Sequence, residues 1–344
     1  LMRSSAASDV YKRQVIIYLW CLSSNIWGID VPSRLVKNDN GTYQLIVNGS
    51  PFIMLAGELH NSSSSTAEYL NSLWKPLKDL NLNTVLASVA WEQFEPQEGI
   101  YDYTLIDNLI NEARRHQLKL GILWFGSWKN GESSYAPTWV KEDTRRFVRV
   151  QTADGKEIET LSPFCENTMR ADAKAFRALV KHIREVDQMC GTVIALQPEN
   201  EVGVFQDMDY SPTSVKAYEQ KVPAILMDYM KKNRQRLHPE FRSIWEEHGL
   251  KGAGTWKEVF GDNHWSKSFY TVWQYASYVN FVAAAAKEVY PLPTFCNCWY
   301  KNQRIFLVFI LMEDLCHELW IFGKLLRLML MYFLQIFIYL ILRI

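Results

Sequence analysis

Asn200-Glu201, a carboxylate beside an amide, follows the apolar run Thr192-Val-Ile-Ala-Leu-Gln197 after Pro198-Glu199, and Val202-Gly203 comes next. A Glu held at such a place can give and take a proton, and the Asn amide can hold a substrate hydroxyl or fix the acid. The chemistry that suits the pair is hydrolysis of a glycosidic bond. The apolar run reads as a strand buried on both faces and broken at Pro198, which puts the pair at the strand's C-terminal end. Where strands alternate with helices, that end carries the loops that build active sites. Glu199 reads as a supporting partner of the pair or a charge in the barrel interior.

Other residues with chemical potential stand at comparable places. Glu58 and His60 lie just past an early strand and are pocket candidates, with a packed or solvated role as the alternative. Trp91 follows the strand Thr84-Val-Leu-Ala-Ser-Val-Ala90 and could line a sugar site or fill the core. Lys129 and Asn130 follow Leu120-Gly-Ile-Leu-Trp-Phe125, as contacts for sugar hydroxyls or as loop structure.

The elements that would position these groups alternate. Tyr43-Gln-Leu-Ile-Val47, the turn Asn48-Gly49 and Phe52-Ile-Met-Leu-Ala56 predict an N-terminal β-hairpin. Ser65-Thr-Ala-Glu68 has the spacing of a capping box, and Leu70, Leu73, Trp74, Leu77 and Leu80 follow at helical spacing, with a kink or a restart of the helix expected at Pro76. Leu105, Ile106, Leu109, Ile110 and Ala113 mark a second amphipathic helix, and Ala171 to Val186 a third. Phe147 to Glu159 reads as a hairpin about Asp154-Gly155 inserted after a strand. Asp207 to Lys267 is a polar excursion, Phe269 to Val289 a long helix, and Pro293 to Trp299 one more strand.

Alternating strands and helices predict an α/β fold with a parallel sheet. No G-x-G-x-x-G or P-loop follows the first strands, which disfavours a nucleotide-binding doubly wound sheet. The expected architecture is a TIM (β/α)8 barrel, incomplete because about five strands are recognisable, preceded by the β-hairpin. The chain is long enough at 344 residues, and its zero net charge gives no sign of nucleic-acid binding. Aromatic residues make up 14% of it, with 13 Trp, whose flat faces suit stacking on a pyranose as well as core packing. Six Cys show no C-x-x-C pair and read as buried free thiols rather than as a metal site.

With those residues placed, a family resemblance follows. Gln197-Pro-Glu-Asn-Glu-Val-Gly203 resembles the Q-x-E-N-E-Y/V-G motif of glycoside hydrolase family 35, the β-galactosidases. Ala90-Trp-Glu-Gln-Phe-Glu-Pro-Gln-Glu-Gly-Ile-Tyr-Asp102 is similar to its W-x-x-x-E-P-x-x-G-x-Y/F-D/N signature, and Ala136-Pro-Thr-Trp-Val140 to its P-x-W segment. The likeness spans Asn38 to Trp299 and keeps the order of the motifs. Family 42 shares the barrel and the Asn-Glu pair.

The resemblance implies a retaining double displacement on terminal β-galactosides, with two carboxyls about 5–5.5 Å apart. By resemblance Glu201 is the acid/base, and Asn200 is the residue that binds the sugar 2-hydroxyl. The substrate-binding candidates are Asn200, Trp91, Glu58, His60, Lys129 and Asn130. No metal or organic cofactor is implied, because the mechanism needs two carboxylates and water. The expected partner is an oligosaccharide or galactoside. The family's strand-3 R-P-G-P-Y-x-x-x-E-W is Trp124-Phe-Gly-Ser-Trp-Lys-Asn-Gly-Glu132 here, which implies a divergent subgroup, and the expected source is bacterial. The family's nucleophile is a Glu near the end of a seventh strand, and none is assigned in this chain. The expectation is therefore a C-terminally truncated glycosidase fragment, poorly soluble and inactive, with a non-catalytic carbohydrate-binding or membrane-anchored protein as the alternative.

The ends differ from the middle, so the expected division is 1–28, 29–300 and 301–344. Leu1 to Gln14 resembles adapter-derived sequence, and Lys12-Arg13 followed by the apolar 15–22 resembles a signal peptide, implying a secreted or periplasmic protein. The barrel would occupy 29–300. Beyond it, 301–344 holds one Gly and no Pro, and about 15 apolar residues lie between Arg327 and Arg343. That is short of the ~20 that a spanning helix needs. An out-of-frame translation is the reading favoured over a membrane anchor.

Overall fold

Asn48 and Gly49 both adopt positive φ, 50° and 78°, as a two-residue hairpin turn demands. The turn sits in a computed structural model that describes residues 32–297, except Gly41 and Phe205, and the backbone of 310–312. It joins β2 (Tyr43–Val47) to β3 (Ser50–Pro51), and β1 (Arg34–Lys37), not expected from the sequence, completes an antiparallel sheet of order β1-β2-β3. The expected second hairpin strand, Phe52 to Ala56, does not form. Its backbone is taken instead by the Asn83 side chain, whose Nδ2 donates to Ile53 O and whose Oδ1 accepts from Leu55 N, both at 2.8 Å. The chain then restarts as β4 (Ala56–Glu58), the first strand of the main sheet.

Helix α1 (Ala67–Asp79) begins one residue later than the capping-box spacing implied. Thr66 is the cap, its hydroxyl accepting from Tyr69 N at 3.3 Å, and Pro76 lies inside the helix without ending it. β5 (Thr84–Ala90) leads into α2 (Trp91–Phe94) and α3 (Thr104–Arg115), whose Ile106, Leu109, Ile110 and Ala113 are buried at helical spacing. β6 (Lys119–Lys129) is followed by α4 (Thr138–Glu142) and the predicted inserted hairpin, β7 (Arg149–Gln151) and β8 (Glu157–Leu161). Helix α5 (Glu166–Asp187) is five residues longer at its start than its apolar spacing suggested. β9 (Val193–Asn200) follows it.

The polar excursion after β9 folds into α6 (Pro212–Tyr218), α7 (Ala224–Lys232), α8 (Pro239–Glu247) and α9 (Trp256–Phe260). These bury Phe241, Trp245, Trp256 and Phe260 in the same core as α10 (His264–Lys287). Helix α10 is consequently apolar over most of its circumference rather than along one stripe. β10 (Thr294–Cys296) returns to the sheet, and β11 (Ile310–Met312) pairs with it antiparallel.

The main sheet has the order β11-β10-β9-β6-β5-β4. From β4 to β10 every pairing is parallel, and strands join in chain order with no reversal. A doubly wound sheet would reverse at a switch point. This winding is that of a (β/α)8 barrel, of which five consecutive parallel strands are present among the described residues: an incomplete TIM barrel. The leader-like residues and the apolar tail lie outside the described residues, apart from 310–312.

Strand β9 does not break at Pro198. It runs to Asn200, because β6 bulges opposite it: Trp124 pairs with Pro198 and Lys129 with Asn200, leaving three extra residues on β6. Proline, which cannot donate to a ladder, is tolerated where the ladder is already irregular. The bulge sets the geometry of the site.

Candidate active site

The C-terminal ends of β4, β6, β9 and β10 meet at one rim. Glu201 is fixed there by its backbone from both sides. Its N–H donates to Asn297 Oδ1 at 2.8 Å, just past β10, and its carbonyl accepts from Gly131 N at 3.0 Å, just past β6. Lys129 Nζ lies 3.6 Å from Glu201 Oε2, and both side chains are about 90% buried, so the pair is weakly screened. The same ammonium donates to Asn130 Oδ1 at 2.5 Å and stands 5.1 Å from the centre of the Phe125 ring.

Glu58 belongs to this set electrostatically. It is exposed by surface area, yet protein atoms crowd its carboxyl. Desolvation raises its pKa most, Lys129 draws it down, and Glu201 pushes it up. Asn200 is buried, and its Oδ1 finds no hydrogen-bond partner among the described residues. A buried carbonyl oxygen left open costs about 1–3 kcal/mol, a cost that a ligand hydroxyl at the rim would offset. Three non-glycine residues here, Asn130, Glu199 and Glu201, hold φ between 48° and 60°. Strain of this kind collects at functional sites.

Behind the rim lies Glu199, fully buried. Its Oε2 accepts from Trp128 N at 2.8 Å, while Oε1 faces the Asp172 carboxyl from α5. Asp172 accepts from Trp124 Nε1, from Ser127 N and Oγ, and from Tyr278 OH, at 2.6 to 3.2 Å. Burial first, and then the Asp172 charge, push the Glu199 carboxyl well above its ordinary range. Tyr278 is pushed up by the same two causes. Trp128 also donates through Nε1 to Leu161 O at 3.0 Å, which ties the inserted hairpin to the rim.

The structure brings Glu201, Asn200, Lys129, Asn130 and Glu58 together. His60 stays exposed beyond β4 and outside that set. Trp91 does not reach the rim. It is fully buried, its Nε1 donates to Glu95 Oε2 at 2.7 Å, and it packs edge-on against Trp139, so it has no free face for a sugar. Its packing alternative holds because the Glu of the W-x-x-x-E motif is the acceptor its indole needs. Glu95 takes Gly99 N at 2.7 Å with its other oxygen, which makes that motif a turn clamp. Sequence reasoning missed Asn297, Asp172, Ser127 and Tyr278. Asp172 could have been found, since Thr168, Asp172, Phe176, Leu179 and Ile183 form one buried helical stripe with a carboxylate in it.

The sequence profile of Glycosyl hydrolases family 35 matches residues 44–253. A β-galactosidase of Xanthomonas manihotis is 28% identical over 169 residues, covering 48% of this chain and 26% of the relative. The human β-galactosidase-1-like protein 3 is 28% identical over 184 residues, covering 52% and 26%. The chain therefore spans about a quarter of the length of these curated relatives. Among solved structures, the β-galactosidase from Bacillus circulans sp. alkalophilus aligns over 71% of this chain and 36% of its own, at 13% identity and a TM-score of 0.46. The profile match takes in β4 to β9, every motif of the rim up to Glu201, and more than half of the residues: the chain belongs to glycosyl hydrolase family 35.

Proposed function

We propose that this chain carries the acid/base half of a retaining β-galactosidase site. Glu201 would protonate the glycosidic oxygen as the bond to the leaving group breaks, and would then take a proton from the water that releases the sugar. Asn200 would hold the 2-hydroxyl with its open Oδ1, and Lys129, Asn130 and Glu58 would bind further hydroxyls. The attacking carboxylate is assigned to none of the described residues, since the family pattern takes it from a later strand than the five parallel strands of this sheet. On its own the chain is proposed to bind galactosides without turning them over. Export is proposed from the leader-like segment.

The observation that carries the reading is the buried Asn200 amide oxygen next to Glu201, without a hydrogen-bond partner among the described residues. Calorimetric titration with methyl β-galactoside tests it, with the 4-epimer methyl β-glucoside as control. The galactoside should bind more tightly, and Asn200→Ala should weaken it at least tenfold, about 1.4 kcal/mol. An aryl β-galactoside should not be hydrolysed. Affinity unchanged in Asn200→Ala would remove the rim from the reading. Robust hydrolysis would place an attacking carboxylate within this chain, with Glu58 the first to replace.

A further inference from the structure

Glu199 Oε1 is a buried oxygen facing another carboxyl. Among the described residues no N–H or O–H donor serves it, and the group in front of it is Asp172. Both carboxyls border the space above Gly126, where an added Cβ would lie 2.6 Å from Glu199 Oε1 and 2.8 Å from Asp172 Oδ1, and each bears directly on the other. Two bare carboxylates at that proximity in a dry site repel strongly, and one shared proton turns repulsion into a hydrogen bond. Asp172 already accepts four hydrogen bonds, so it is the better holder of the charge, and the proton belongs to Glu199.

The groups joined by this pair come from four elements. Asp172 is on α5, Ser127 and Trp128 are in the β6 bulge, Glu199 is on β9, and Tyr278 is on α10. Tyr278 OH also lies 2.7 Å from Ser127 Oγ. The residue after Trp128 is Lys129, and the residues after Glu199 are Asn200 and Glu201. We propose that Glu199 and Asp172 form a buried acid–carboxylate pair, sharing one proton, that positions Lys129 against Asn200-Glu201. Glu199 and Asp172 act here as positioning residues, since neither reaches the rim. The titratable groups facing Glu199 are Asp172 from α5 and Tyr278 from α10, while β6 offers neutral donors. Loss of the shared proton at alkaline pH then puts two charges behind the rim and frees the bulge.

The consequence for chemistry rests on the assignment of Glu201, but the pair itself is testable without it. Infrared spectra of wild type minus Glu199→Gln at neutral pH should show the carbonyl stretch of a buried protonated carboxylic acid. Hydrogen exchange of the peptide covering 125–132 should accelerate in wild type at alkaline pH beyond the intrinsic rise. Glu199→Gln, which can still donate to Asp172 and accept from Trp128 N, should not show that excess. Glu199→Leu cannot accept from Trp128 N, and should speed exchange of the same peptide at least tenfold at every pH and weaken galactoside binding by a similar factor. Absence of the acid band overturns the shared proton. Exchange in Glu199→Leu equal to wild type overturns the positioning role. Failure of wild type to bind galactoside, with the band and the exchange pattern present, would refute the function proposed above and leave the pair standing.

Discussion

Gly126→Ala is the smallest change that should break the site from behind. The added methyl would collide with Trp124 Nε1 and lie within 3 Å of Glu199 Oε1 and Asp172 Oδ1. None of the three can swing away, because all belong to fully buried side chains held by hydrogen bonds. Overpacking a closed core costs about 1–3 kcal/mol. Prising the Trp124 indole from Asp172 leaves a buried donor open, for about another 1–3 kcal/mol. The expected loss is about 2–6 kcal/mol, a large share of the 5–15 kcal/mol typical of a folded domain.

Urea unfolding followed by tryptophan fluorescence measures it. With a slope of about 3 kcal/mol/M, the midpoint should fall by about 0.7–2 M. Gly155→Ala supplies the contrast. Gly155 sits in a hairpin turn at φ 80° with nothing near its missing Cβ, so the cost is the backbone strain alone, about 1–2 kcal/mol. Equal midpoint shifts in the two variants would refute the steric argument and, with it, the placing of Glu199 and Asp172 against Gly126. A Gly126→Ala chain that fails to fold where Gly155→Ala folds would place the cost at the top of the range or beyond it.

Three further outcomes can be measured in the same way. Asp187 is fully buried and holds both Arg114 Nη2 at 2.8 Å and Val193 N at 2.7 Å, at the start of β9, so Asp187→Ala should cost about 3–5 kcal/mol. The exposed Lys75–Asp79 pair should show no measurable change when Lys75 is truncated, and a comparable loss at both places would defeat that contrast. The Glu58 carboxyl has a raised pKa, so the folded chain holds a proton there that the unfolded chain releases above pH ~4.3. Stability linked to Glu58 is therefore complete below that pH and falls as pH rises towards the folded pKa. Glu58→Gln should unfold at higher urea than wild type at pH 7, relative to their difference at pH 4. The opposite order would mean that Lys129 outweighs desolvation.

How much of this was legible in the sequence depended on whether a residue's partner was near in the chain. Asn48-Gly49 announces its turn because the required φ values are a local property. The stripe Ile106, Leu109, Ile110, Ala113 announces α3 for the same reason. Thr84 to Ala90 shows itself as a strand by composition, and the Asn200-Glu201 pair stands out because of the apolar run before it. The end of β9 was not legible. Pro198 signals a break, and only the bulge of β6, some 70 residues earlier, explains why the strand continues past it. Trp91 was ambiguous because sugar stacking and core packing need the same flat ring. What decides it is Glu95, four residues on, whose carboxylate takes the indole N–H.

The bulge also accounts for the strain at the rim. A regular ladder between β6 and β9 would alternate their side chains across the sheet, and neighbouring residues would face opposite ways. Asn200 and Glu201 are adjacent, so a regular strand would separate them. The positive φ of Glu199 and of Glu201 re-aims the backbone at both positions, each at a cost of about 1–3 kcal/mol. That cost is offset only if the surroundings hold the conformation, and the holders are identifiable. Trp128 N secures the Glu199 carboxyl, Gln197 Nε2 donates to Glu199 O at 2.9 Å, Asn297 takes the Glu201 N–H, and Gly131 N takes its carbonyl. Strands β6, β9 and β10, with the residues just past them, thus converge on Glu199 and Glu201. Removing any one holder should relax the backbone towards a regular strand before it unfolds the sheet, and the proton behind Glu199 is the holder that pH alone can remove.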